Sequence, residues 1–121
     1  MAKLMVIDDS EVMRRYIRRI LGDVHEIEEW MPASAMEVGD HLLESKPDLV
    51  LTDYQMPGCS GATVARMALK AVPGLPVIVV TAIRDEDVAG ALRKLKVVDI
   101  LYKPVSRDAL LEAVAKALKP A

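Results

Sequence analysis

A lone cysteine, Cys59, leaves the 121 residues with no disulfide of their own to hold a fold. No stretch near the N-terminus joins a basic start to the apolar run that secretion requires, so a cytoplasmic setting is expected. A surplus of positive charge is missing as well. Sixteen basic residues against eighteen acidic ones give a formal net charge of -2, so no overall basic field exists to hold a nucleic-acid backbone, and direct DNA binding is disfavoured. No linker, repeat or low-complexity segment interrupts the chain, and Pro120 with Ala121 leaves only a stub after the last helical pattern.

What remains is 52% hydrophobic and 28% charged, too apolar for a disordered tail and too evenly charged for a membrane span. At this length roughly two-thirds of the unfolded chain's surface can be buried, so one domain over residues 1–121 with one core is expected.

Met5 to Ile7, Leu49 to Leu51 and Val77 to Val80 are short apolar runs ending in polar residues, the pattern of strands covered on both faces. Val97 to Leu101 makes a fourth, interrupted by Asp99, and the mixed polarity of His25 to Trp30 suits an edge strand. Helical spacing fills the intervals. Val12, Met13, Tyr16, Ile17, Ile20 and Leu21 recur at three and four residues before Gly22, which supplies a stop. Ser34 and Glu37 read as a capping box opening a helix that runs to Glu44. Two more helices are expected from about Gly61 to Val72 and about Asp85 to Leu95, and Ser106 caps a last one with Leu110, Val114 and Leu118 on one face. Five strands alternating with five helices imply parallel pairing through right-handed crossovers, a doubly wound α/β sandwich.

In such a sheet, ligands bind beyond the carboxyl ends of the strands, where the winding reverses. Asp8 and Asp9 follow the first strand, Asp53 the third, Thr81 the fourth and Lys103 the fifth, so all five converge on one edge. Three carboxylates in a low-dielectric crevice repel one another, and either protonation or a hard divalent cation relieves that repulsion. Mg²⁺ suits the site, because it commonly joins one or two protein carboxylates to a phosphate oxygen. Lys103 offers a point charge and Thr81 a hydroxyl to the same oxygens. Phosphoryl transfer needs mainly positioning and neutralised charge, so this set suffices for an acyl phosphate on Asp53.

Taken singly, each feature has a plainer reading. Asp8 and Asp9 suit a helix cap beside a solvated carboxylate, and Lys103-Pro104 a surface lysine before a proline that opens a helix. Met56, Pro57, Gly58 and Gly61 most simply build a turn. Cys59 reads as incidental rather than redox-active, and Trp30 either anchors a partner or covers the sheet's edge. Convergence at the strand ends is what favours chemistry.

VIDDS at 6–10, LTDYQMPGCSG at 51–61, VVTA at 79–82 and YKPV at 102–105, in that order, resemble the receiver domain of bacterial two-component response regulators, chemotaxis regulators included. The resemblance covers essentially the whole chain. It implies a flavodoxin-like (βα)5 fold with strand order 2-1-3-4-5. It also implies Asp53 as phosphoacceptor, direct Mg²⁺ ligation by Asp9, Asp53 and the backbone carbonyl of Gln55, with Asp8 acting through water, and Thr81 and Lys103 on the phosphoryl oxygens. The Lys103-Pro104 peptide would be cis. The donor would be a histidine on a sensor kinase or phosphotransfer protein, and the output a protein bound at the face of the fourth helix, fifth strand and fifth helix, or a phosphorylation-dependent homodimer. Two positions depart from the family's pattern: Ile100 stands where receivers commonly carry Tyr or Phe, with Tyr102 projecting from the same face of the strand, and Val105 stands where Phe is frequent, an apolar replacement.

Two other functions share parts of this pattern. A small Mg²⁺-dependent phosphatase would also use Asp53 as nucleophile, but Gln55 stands where a second acid would assist a leaving group, and no cap segment encloses a substrate. A phosphate-independent scaffold would not need Asp8, Asp9, Asp53, Thr81 and Lys103 together. The expectation is therefore a switch and not an enzyme.

Overall fold

The structure, a computed structural model, describes residues 1–119. Pro120 and Ala121, read above as a stub, lie outside the described residues. Ten elements alternate: β1 Lys3–Ile7, α1 Glu11–Leu21, β2 Glu26–Trp30, α2 Glu37–Ser45, β3 Leu49–Asp53, α3 Gly61–Ala71, β4 Val77–Thr81, α4 Glu86–Lys94, β5 Asp99–Tyr102 and α5 Arg107–Ala117. The strands form one parallel sheet in the order β2-β1-β3-β4-β5. The doubly wound fold and its strand order are as expected.

Alternation of side chains along each strand sorts the apolar residues into two layers. Leu4, Val6, Leu49, Leu51, Ile78 and Val80 pack against Ile17, Ile20 and Leu21 of α1 and Leu110 and Val114 of α5. Met5, Ile7, Val50 and Val77 face the other way, onto Val38 and Leu42 of α2 and Val64, Ala65 and Ala68 of α3. β3 and β4 are buried along their whole length, which is why they read as unbroken apolar runs.

Side-chain caps set several helix starts. Ser10, Ser60, Asp85 and Ser106 each accept a backbone N–H from the first turn of the helix that follows. Ser106→Ala removes the acceptor for the Ala109 N–H, now 3.1 Å away, and is expected to cost about 1 kcal/mol. A thermal melt should register this as a fall in Tm of roughly 4 °C; an unchanged Tm would mean that water replaces the cap without loss.

Three sequence expectations are corrected in detail. α2 begins at Glu37, three residues after Ser34, behind Met36 with no side-chain cap. Only half of the expected capping box forms: the Glu37 carboxylate accepts the Ser34 N–H at 3.0 Å and the Ala33 N–H at 2.6 Å. The irregular run before it consumes the residues that the box would have made helical.

β5 begins at Asp99 and not at Val97, because Lys96 takes a positive φ of 67° that delays the strand, and Val98 is left 52% exposed. On α1, Ile17, Ile20 and Leu21 form the core face, whereas Val12 is 80% exposed. Tyr16 is turned aside, with its hydroxyl donating to the Val105 carbonyl at 2.7 Å.

Candidate functional site

Parallel strands end together, so the residues at their carboxyl ends share one edge whatever their distance in sequence. Ile7 pairs with Thr52, one residue short of Asp8 and Asp53, and Asp53 pairs with Val80, one residue short of Thr81. Thr81 in turn pairs with Tyr102, the neighbour of Lys103. That register brings four of the five expected strand-end residues to the rim of β1, β3, β4 and β5, and Asp9 follows directly from Asp8.

One carboxylate oxygen from each of Asp8, Asp9 and Asp53 lies within 4.8 Å of the others. Asp8 and Asp53 are 2% and 7% exposed, while Asp9 is open to solvent. The Lys103 ammonium reaches Asp8 Oδ2 at 3.1 Å and Asp53 Oδ1 at 3.5 Å. Asp8 Oδ1 also accepts the Ser10 N–H at 2.8 Å, and Asp53 Oδ1 the Tyr54 N–H at 2.8 Å. Burial pushes the Asp53 carboxyl above its ordinary range, Asp8 beside it adds to the rise, and Lys103 pulls the other way.

Three carboxylates against one lysine leave an excess of negative charge in a partly buried, all-oxygen pocket. A hard divalent cation fits that donor set.

Thr81 is buried at the end of β4, and its Oγ1 accepts the Ile83 N–H at 3.0 Å, which ties the hydroxyl to the loop before α4. Gln55, expected to contribute its carbonyl, lies exposed in the loop two residues past Asp53. The Lys103-Pro104 peptide is cis, as expected. Gly58 holds a φ of 76° in the turn after Asp53, which accounts for a glycine there.

Cys59 is buried with its thiol pushed up by burial, the opposite of what a reactive thiolate needs. Trp30 stacks on His41 of α2, ring centroids 3.9 Å apart and planes 11° from parallel, and so covers the sheet's edge. Ile100 is half-buried, and on Tyr102 the Arg84 guanidinium sits 4.7 Å from the ring centroid.

One contributor is absent from the motifs that define the pocket. Arg14, in the second turn of α1, donates to the Asp8 backbone carbonyl. Helical side chains lean toward the helix N-terminus, so an arginine one turn past the Ser10 cap is placed to reach back to the loop before it. Sequence spacing alone does not single this contact out, because Ser10 is not among the caps read from the pattern.

Fold and site together define an α/β domain of the doubly wound class, with an acidic, lysine-bearing pocket at the strand ends. The chain belongs to the response regulator receiver domain family, which matches residues 4–115. Accepting a phosphoryl group is that family's function. The chain is 31% identical over 118 residues to protein CcdB of Bacillus subtilis, covering 98% of each. It is 28% identical to the response regulator GacA of Pseudomonas aeruginosa, covering 94% of this chain and 54% of that one, so it spans about half of that relative. A crystal structure of a response regulator receiver domain protein from Clostridium thermocellum superposes with a TM-score of 0.85 at 31% identity, over 98% of this chain and 94% of that one. Among the described residues no helix is long and apolar enough to cross a membrane.

Proposed function

We propose that this chain works in the cytoplasm as one phosphoacceptor domain of a two-component phosphorelay, with Asp53 as the residue that receives the phosphoryl group. The observation that carries this reading is the placement of Asp53, buried and flanked by Asp8, Asp9 and Lys103 at one rim of the sheet. A bound Mg²⁺, held by Asp9, Asp53 and the Gln55 carbonyl with Asp8 acting through water, would neutralise charge on the phosphoryl oxygens.

The chain's own residues do the rest. An Asp53 carboxylate oxygen attacks phosphorus as the bond from phosphorus to the donor imidazole breaks, and the imidazole keeps the electron pair. Lys103 moves its charge from the carboxylates to the transferred group. Thr81 turns its hydroxyl from the Ile83 N–H toward a phosphoryl oxygen, which releases the start of the loop that carries Arg84.

Arg84 stacks on Tyr102 of β5, so that release reaches the face formed by α4, β5 and α5, where a downstream protein or a second copy of the chain would bind. In this chain the Arg84–Tyr102 pair lies where such a relay needs a contact, while Ile100 offers no polar handle. The domain itself acts as a switch and not as an enzyme, with a sensor histidine kinase or phosphotransfer protein as donor.

The test is chemical trapping. The wild-type chain is incubated with Mg²⁺ and acetyl phosphate, then treated with borohydride, which reduces an acyl phosphate on aspartate to homoserine and releases phosphate. Homoserine at position 53, dependent on both reagents, is the expected result. Homoserine at another position, or none, would overturn the assignment.

A further inference from the structure

Behind the acidic pocket lies a set of charges that the transfer does not use. Arg14 of α1 donates through Nη1 to the Asp8 carbonyl, and its Nε lies 3.4 Å from Glu29 Oε1 on β2. The other Glu29 oxygen takes Arg18 Nε at 2.5 Å, and Arg18 Nη2 also reaches the Ile27 carbonyl at 3.2 Å. Glu29 pairs in register with Val6 of β1, two residues before Asp8. A run of contacts thus leads from the edge strand to the backbone of the metal-pocket loop.

We infer that Arg14 is a positioning residue for the metal pocket, held in place by Glu29, and that the pair raises the affinity of the site for a divalent cation. This rests on the reading of the pocket as a Mg²⁺ site. The reason lies in how the three carboxylates are held. Asp8 is fixed through its side chain by the Ser10 N–H and Lys103, and Asp53 by the Tyr54 N–H and Lys103. Asp9 is exposed, and mutual repulsion drives its carboxylate outward. Its anchor is the peptide joining it to Asp8, and the carbonyl of that peptide is the group Arg14 holds. Fixing the peptide plane keeps Asp9 aimed at its neighbours before any cation arrives.

Charge alone predicts the opposite sign. A guanidinium near a cation site repels the cation, so its removal would tighten binding if Arg14 acted only through the field. A positioning group of this kind, when lost, weakens metal binding by about 10-fold or more.

The experiment is a Mg²⁺ titration of the full chain followed by amide NMR shifts of Asp8, Asp9 and Asp53, with Arg14→Met, Glu29→Gln and the double variant. Arg14→Met is expected to raise the Mg²⁺ Kd about 10-fold. Glu29→Gln should raise it less, and the double variant should be no weaker than Arg14→Met alone, because both changes release the same peptide. Arg14→Lys keeps a donor for the carbonyl and should recover part of the loss. Unchanged or tighter binding in Arg14→Met overturns the proposal, and additive losses overturn the role given to Glu29. If Arg14→Met does not fold, Arg14→Lys decides, since it keeps the charge but loses the guanidinium that spans the Asp8 carbonyl and Glu29; an unchanged Kd in that variant counts against the proposal. A wild type that binds no Mg²⁺ would instead sink the reading of the pocket.

Discussion

Asp53→Asn is expected to gain no phosphoryl group from acetyl phosphate and Mg²⁺ under conditions in which intact mass shows one adduct on the wild type. The amide keeps the size of the side chain and an oxygen to accept the Tyr54 N–H, so the pocket's shape survives. What it lacks is a carboxylate electron pair to attack phosphorus, and the loss should be complete. An adduct of equal size on the variant would place the acceptor elsewhere.

The same substitution carries an opposite effect on stability. Burial, and then the neighbouring Asp8, raise the Asp53 pKa in the folded chain above its ordinary value. Between the ordinary and the raised value the native state therefore binds more protons than the unfolded one, so stability falls as pH rises through that window and stays lower above it. Asparagine has no such proton to lose. In EDTA at neutral pH, Asp53→Asn should melt above the wild type, the gap should close as pH drops below the ordinary carboxylate range, and added Mg²⁺ should narrow it. A wild type that melts higher in EDTA at neutral pH would mean that the attraction of Lys103 outweighs burial and repulsion together.

Gly61→Ala should be the most damaging change of a single methyl group near the site. A Cβ there would lie 2.4 Å from the Asp53 carbonyl oxygen and 2.7 Å from the Tyr54 Cα, both backbone atoms that no rotamer change can move aside. The glycine is required for room, since its N–H must come within 2.7 Å of the Tyr54 carbonyl to seat α3 against the end of β3. Relief demands that the helix retreat or that the segment carrying Asp53 shift. The expected cost is about 3 kcal/mol, the upper end of ordinary overpacking, and Mg²⁺ affinity should fall with it.

Gly90 is the control. In the middle of α4, with nothing within 4 Å of an added Cβ, Gly90→Ala should stabilise by roughly 0.5–1 kcal/mol. Denaturant titrations of both variants test the pair, and a Gly61→Ala protein as stable as the wild type would show that α3 is not locked to the strand.

Those features bear on why some parts of the molecule are legible in sequence and others are not. β3 and β4 announce themselves because both of their faces are covered, which leaves short apolar runs, rich in β-branched residues and ended by polar ones. The pocket is legible for a related reason: parallel strands end in register, so a polar residue after each apolar run is already a statement about a shared rim. α2 is harder. Ser34 and Glu37 have the right spacing, and Glu37 does bond back to the Ser34 N–H, yet one bond of the pair does not oblige the intervening residues to be helical.

Val12 and Tyr16 follow the period of the α1 core face but fall at its margin, where Tyr16 finds the Val105 carbonyl on a distant loop. Periodicity carries no information about such a contact. Arg14 was silent for a different reason, since its partners are the Asp8 carbonyl and a side chain on β2, contacts that only the folded chain brings together.

The two ends of the described chain add a consequence for engineering. Met1, Ala2, Leu118 and Lys119 line one open cavity together with Asp48 and Pro76, which precede β3 and β4. Beginning and end thus meet at the rim of the sheet opposite Asp53, separated from it by strands of five residues, about 16 Å. A fluorescent protein or an affinity tag fused at either terminus would hang from the far pole of the molecule and leave the acidic rim open to a donor. Joining the two ends by a short peptide and reopening the chain in an exposed loop should likewise spare the pocket.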